Sequence, residues 1–136
     1  MTLSDDLRRM GFSAEQIATS LVDGKPIAEA ERKKPSRVDG MNKTEALYSV
    51  ELDWLKREGV VVEWLFESIK LRLAKRTWYT PDFFVRFADG RMMFVEIKGF
   101  LRDDAAVKFK MARDKFRWAE FIMLRRIKTN WVPVNI

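Results

Sequence analysis

Residues 79 to 99 read YTPDFFVRFADGRMMFVEIKG and place Asp82, Glu96 and Lys98 inside what alternation predicts to be a half-buried β-hairpin. Residues two apart on a strand share a face, so Glu96 and Lys98 project together while Val95 and Ile97 face the other way. A tight turn at Asp89-Gly90 brings Asp82 across the ladder to Glu96 or Lys98. The chemistry that uses such a set is phosphodiester hydrolysis. Two carboxylates and a backbone carbonyl, here that of Ile97, can hold Mg²⁺, which polarises a phosphate and acidifies a water. A lysine beside them can orient that water and offset the charge that develops on the phosphate. The competing account is structural: Asp82 and Glu96 could simply pair across strands with Lys98 or Arg86.

Two absences narrow the chemistry further. The chain has no histidine, which removes imidazole bases, Ser-His triads and His-type zinc sites. It has no cysteine, which removes disulfides, thiolate metal sites and thiol nucleophiles. Any metal must then be a hard cation on oxygen ligands.

The elements that must position these groups follow from local signals. Asn42 with Glu45 three residues on is a capping box, and ALYSVELDWLKRE continues as a helix until Gly59, with Leu47, Tyr48, Leu52, Trp54 and Leu55 apolar. VVVEWLF and SIKLRLA predict one long bent strand or two strands. Phe83, Val85 and Phe87 then alternate along a strand, ADGR turns, and MMFVEIKG returns antiparallel. Asp103 and Asp104 open another helix as caps, with Ala105, Phe109, Ala112 and Phe116 as its apolar stripe, and AEFIMLRR is a last strand. The order is helix, three strands, helix, strand: an α/β sandwich with a mixed sheet.

Residues 1 to 40 read differently. Ser4 caps a short helix through Met10, broken by Gly11, and Ser13 caps a second carrying Ile17, Leu21 and Val22. The polar AEAERKKPSRVDG then reads as a linker, so 1–40 is expected to be a small helical appendage and 41–136 the main domain. Lys and Arg exceed Asp and Glu by six, which favours an anionic partner. No apolar run approaches membrane-spanning length and no secretory signal is visible, so a soluble cytoplasmic protein is expected.

Pro81-Asp82, followed across a hairpin by Glu96-Ile97-Lys98 and preceded by a helix with Glu45, resembles the PD-(D/E)XK nuclease superfamily. NKTE, WYTPDFFV, FVEIKGF and the Asp-Asp helix opening further resemble, in order and spacing, the phage endonuclease I type of Holliday-junction-resolving enzyme, over about residues 42 to 126. The resemblance implies a restriction-endonuclease-like αβββαβ core and a Mg²⁺-dependent endodeoxyribonuclease, with Mn²⁺ able to substitute, acting on branched DNA in phage recombination or packaging, in the host cytoplasm. It implies Asp82 and Glu96 as metal ligands with the Ile97 carbonyl, Lys98 as the water-orienting residue, and Glu45 as a further acid serving a second metal or its water shell. Glu51, on the same helix, is a lesser candidate. It also implies a homodimer, domain-swapped through roughly Leu73 to Thr77. DNA contact is expected from Lys108, Lys110, Arg113 and Lys115 on the second helix and from Arg76, each equally a solvated cation; Trp78 and Tyr79 could stack on a base or pack in the core. A nuclease acting on duplex or flap DNA in repair, restriction or transposition, and a non-catalytic DNA-binding or assembly protein, remain open alternatives.

Overall fold

A computed structural model describes residues 3–13, 40–99 and 103–136. The helix expected from Ser13 onward and the linker that follows lie outside the described residues. Helix α1 spans Leu3–Arg9 and α2 spans Lys43–Arg57. Strands β1 (Val61–Phe66), β2 (Leu71–Ala74), β3 (Thr77–Tyr79), β4 (Phe83–Phe87) and β5 (Met92–Ile97) follow, then helix α3 (Asp103–Lys115), β6 (Glu120–Ile127) and β7 (Asn130–Pro133).

Five strands form one mixed sheet in the order β1-β4-β5-β6-β7. Only β5 and β6 run parallel, joined through α3, as a helical crossover requires. The Asp89-Gly90 turn closes β4 onto β5, with Gly90 at φ +93°, a left-handed conformation that glycine adopts without steric cost. Its Phe87–Arg91 backbone bond of 2.9 Å fixes the register, so Phe83 lies opposite Val95.

That register sorts the side chains into two cores. Phe83, Val85, Phe87, Met93, Val95 and Ile97 face α2, against Tyr48, Leu52 and Leu55. On the opposite face Phe94 and Met123 pack with Phe109 and Ala112 of α3 and with Leu71, Leu73 and Tyr79. Burial of each large apolar chain contributes about 1.5–3 kcal/mol, so the two faces together set the sheet rigidly between its helices.

VVVEWLF and SIKLRLA form two strands, one of the two alternatives expected, but Leu71–Ala74 leaves the sheet of β1 and pairs with β3 as a separate hairpin packed on α3. The chain breaks away after Phe66 because Glu67 turns to φ +47° and the Ser68 hydroxyl caps the Phe66 carbonyl at 2.8 Å. Residues 73 to 77 form the tip of that hairpin, held by Lys115 Nζ donating to Leu73 O at 3.1 Å. β6 is not the last strand, since the chain reverses at Lys128 (φ +58°) and β7 pairs antiparallel with it.

Helix α1, within the expected appendage, packs into the main core through Leu7 and Met10, both fully buried. Gly11 at its end has φ +96° and lies so close to β6 and β7 that a Cβ would stand 2.5 Å from Leu124 Cδ2 and 3.0 Å from Trp131 O. Arg9 is clamped between Glu51 and Asp6 and also donates to Thr129 O at 3.1 Å. Among the described residues no helix is long and apolar enough to cross a membrane.

Candidate metal centre

The end of the sheet where β1 stops, β4 begins and β5 finishes is where groups from both layers can meet. Asp82 immediately precedes β4, and the Phe83–Val95 register sets it opposite Glu96. The link is direct: the Asp82 amide donates to Glu96 Oε2 at 3.2 Å, and the Ile97 amide donates to Asp82 Oδ2 at 2.8 Å. Tyr79, ending β3, donates its hydroxyl to Glu96 Oε2 at 2.8 Å. Ile97 therefore meets Asp82 through its amide, a contact separate from the carbonyl role expected of it. Lys98 follows with its amide on Leu124 O at 2.7 Å and its side chain half-buried.

Glu45 reaches the same place from α2. The capping box is present: the Glu45 amide donates to Asn42 Oδ1 at 2.8 Å and Glu45 Oε1 accepts from the Asn42 amide at 2.9 Å. Glu45 is nevertheless buried at the cluster, so its capping bonds do not keep its carboxylate from lying beside the other acids. Carboxylate oxygens of Glu45, Glu67 and Asp82 lie within 4.8 Å of one another. Glu67 escaped sequence reasoning altogether. Its amide donates to Asp82 O at 2.9 Å, so the turn that ends β1 delivers its carboxylate, and no motif in FESIK marks it.

The electrostatics are those of anions crowded together. Burial first, then the Glu96 charge, push the Asp82 carboxyl up to about 8 against the pull of the Ile97 amide, with Glu45 adding to the rise. Burial likewise raises Glu96, opposed by hydrogen bonds from Tyr79 and the Asp82 amide and reinforced by the charges of Glu45 and Glu67. Burial and the Glu96 charge also hold the Tyr79 phenol well above its usual range, so it stays a donor. The cross-strand ion-pair account fails here: Arg86 turns to Glu63 at 3.3 Å, and among the described residues no cation pairs with Glu45, Glu67, Asp82 or Glu96. Glu51 is occupied by Arg9 and stands outside the cluster.

No family model, curated protein or solved structure matches this chain. The site must be judged on its own chemistry. A donor set made only of carboxylate oxygens, partly buried and lacking cations, suits a hard divalent ion such as Mg²⁺ or Mn²⁺. Glu45, Glu67 and Asp82 have the mutual distances to hold one, with Glu96 bonded to Asp82 beside them. A concavity of about 1150 Å³ between α1 and β7 is lined by none of these acids.

The expected DNA-contact residues have different surroundings. Arg113 donates to the Ile136 carbonyl at 3.1 Å and stacks over Phe109, facing the C-terminal strand. Lys115 points the opposite way, to the β2–β3 hairpin. Lys108 is half-buried, Lys110 exposed, and Arg76 sits exposed at the hairpin tip at φ +60°. Asp104 is exposed in the first turn of α3. Trp78 is exposed, whereas Tyr79 is buried and engaged with Glu96.

Proposed function

We propose that the protein is a Mg²⁺-dependent endodeoxyribonuclease of the PD-(D/E)XK type, with a restriction-endonuclease-like core, acting on branched DNA as a homodimer. The observation that carries this reading is the convergence of Glu45, Glu67, Asp82 and Glu96 at one sheet end with no paired cation among the described residues. Burial and neighbouring negative charge raise the Asp82 and Glu96 carboxyls at a cost to stability, which a structural role does not explain and a divalent cation relieves. Bound there, such an ion would polarise a phosphate oxygen and make a water more acidic.

The chain's own groups have separable tasks. Asp82 is aimed by the Ile97 amide, and Glu96 by Tyr79 and the Asp82 amide, so neither carboxylate has to reorganise when phosphate arrives. Lys98, two residues beyond Glu96 and on its face of the strand, orients the attacking water and offsets the negative charge growing on the phosphate. Glu45 and Glu67 complete the ligand set from α2 and from the turn after β1.

The test is to incubate purified protein with four-way junction, flap, duplex and single-stranded DNA, with Mg²⁺ or with EDTA, beside Glu96→Ala and Lys98→Ala. Cutting that needs metal, prefers the junction and disappears in both variants supports the proposal. Equal cutting of plain duplex would replace branch selectivity with a repair, restriction or transposition activity. Binding without cutting in any metal would make the protein a non-catalytic module. Light scattering on the same sample tests the dimer, which a junction-cutting monomer would overturn.

A further inference from the structure

A second surface involves the strand that carries Tyr79. The β2–β3 hairpin and the end of α3 enclose a groove of about 530 Å³ lined by Lys70, Arg72, Lys75, Trp78 and Lys115, with no acid among the described residues of its walls. Strand alternation explains how it adjoins the site: Tyr79 turns inward to Glu96 while Trp78, the residue before it, turns outward with 41% of its surface exposed. Isolated exposed aromatics are ordinary. This one stands among four cations, with the Lys70 ammonium 5.1 Å from its ring centre. The groove floor is fixed, because Lys115 donates to Leu73 O at 3.1 Å and ties hairpin to helix.

We propose that this groove binds a single-stranded DNA segment, with an unpaired base stacked on Trp78 and its flanking phosphates on Arg72, Lys75 and Lys115. The inference rests on the reading of the neighbouring carboxylates as a DNA phosphodiesterase and names the part of the substrate that this site holds. Charge complementarity specifies a polyanion, and the ring specifies which one. A paired base inside a duplex has both faces covered, so only an unstacked base can use Trp78. Stacking by a base outweighs an exposed cation–π contact, so Lys70 leaves the ring and takes a phosphate. A nucleotide seated there lies beside the strand whose Tyr79 hydroxyl binds Glu96. Branch selectivity would then arise from the unpaired nucleotides that a branch point supplies.

The experiment measures binding apart from cleavage. Fluorescence anisotropy of a labelled oligothymidylate in EDTA is compared for the parent chain, Trp78→Ala, Trp78→Phe and Lys75→Ala across a salt series, with circular dichroism melts confirming that each variant folds. Trp78→Ala is expected to weaken binding roughly tenfold at every salt concentration, and Trp78→Phe to retain most of the affinity. Lys75→Ala is expected to lower the slope of log affinity against log salt by about 0.7, the value for one phosphate contact on a single strand. Parent-like binding by Trp78→Ala overturns the proposal. So does equal affinity for blunt duplex, or displacement of the oligonucleotide by polyglutamate as readily as by unlabelled DNA. The two readings fail separately: Trp78-dependent binding without cleavage in any metal refutes the nuclease and leaves the groove, whereas metal-dependent cleavage with parent-like binding by Trp78→Ala does the reverse.

Discussion

Replacing Asp82 with Asn separates the stability of the fold from the demands of the site. The carboxyl is held near 8 instead of its ordinary 3.8. An acid with a raised folded pKa takes up a proton on folding, so the stability tied to it is greatest below its unfolded value and is lost as pH rises toward 8. At ~1.4 kcal/mol per pH unit, the loss by pH 8 has a ceiling of about 5 kcal/mol. Asp82 and Glu96 interact closely and the cluster is only partly buried, so the realised loss should be about 1–3 kcal/mol. Asn keeps the oxygen that accepts from the Ile97 amide and removes the charge. In EDTA at pH 8, Asp82→Asn is therefore expected to melt above the parent, by ~3–5 °C per kcal/mol for a chain of this size, with the advantage shrinking toward pH 5. Mg²⁺ should reverse the order. At a hundred times its dissociation constant an ion stabilises the parent by about 2.7 kcal/mol, roughly 10 °C, and the Asn variant by little. Thermal melts from pH 5 to 8.5, with EDTA and with Mg²⁺, give all four quantities. An Asn variant that melts below the parent at pH 8 in EDTA, or Mg²⁺ shifts equal in both proteins, would refute the account of the cluster as anions awaiting a cation.

Three further outcomes are expected. Glu67→Gln should weaken Mg²⁺ binding at least about tenfold by calorimetric titration, and unchanged affinity would remove Glu67 from the ligand set. Tyr79→Phe deletes the hydroxyl that holds Glu96 down, so the fold should lose about 1 kcal/mol and the acid limb of the cleavage pH profile should move to higher pH; an unmoved limb would show that Glu96 does not titrate in the reaction. Gly11→Ala forces a Cβ against Leu124 and the Trp131 carbonyl at a positive φ, for a loss of about 2 kcal/mol; an unaltered melting temperature would mean α1 does not dock this closely on β7.

What the sequence determined by itself was local. Period-two alternation and the Asp-Gly turn brought Asp82 across the ladder to Glu96 or Lys98, because a hairpin's register follows from its own turn, and the observed register pairs it with Glu96. The Asn42–Glu45 box and the apolar arc through Tyr48, Leu52 and Leu55 located α2 and the face it buries, because both interactions span only a helical turn or two. Tertiary structure decided what depends on pairing between distant segments. Glu67 enters the cluster only because β1 skips the next hairpin to pair with β4, and alternation within SIKLRLA reads the same in either sheet. β7 follows a turn at Lys128 without a glycine or proline to announce it. Trp78 and Tyr79 are adjacent aromatics that composition cannot tell apart. Which one meets Glu96 and which faces the basic groove was decided by the side of the β2–β3 hairpin that packs on α3, a choice made by burial of Leu71, Leu73 and Tyr79 against Phe109.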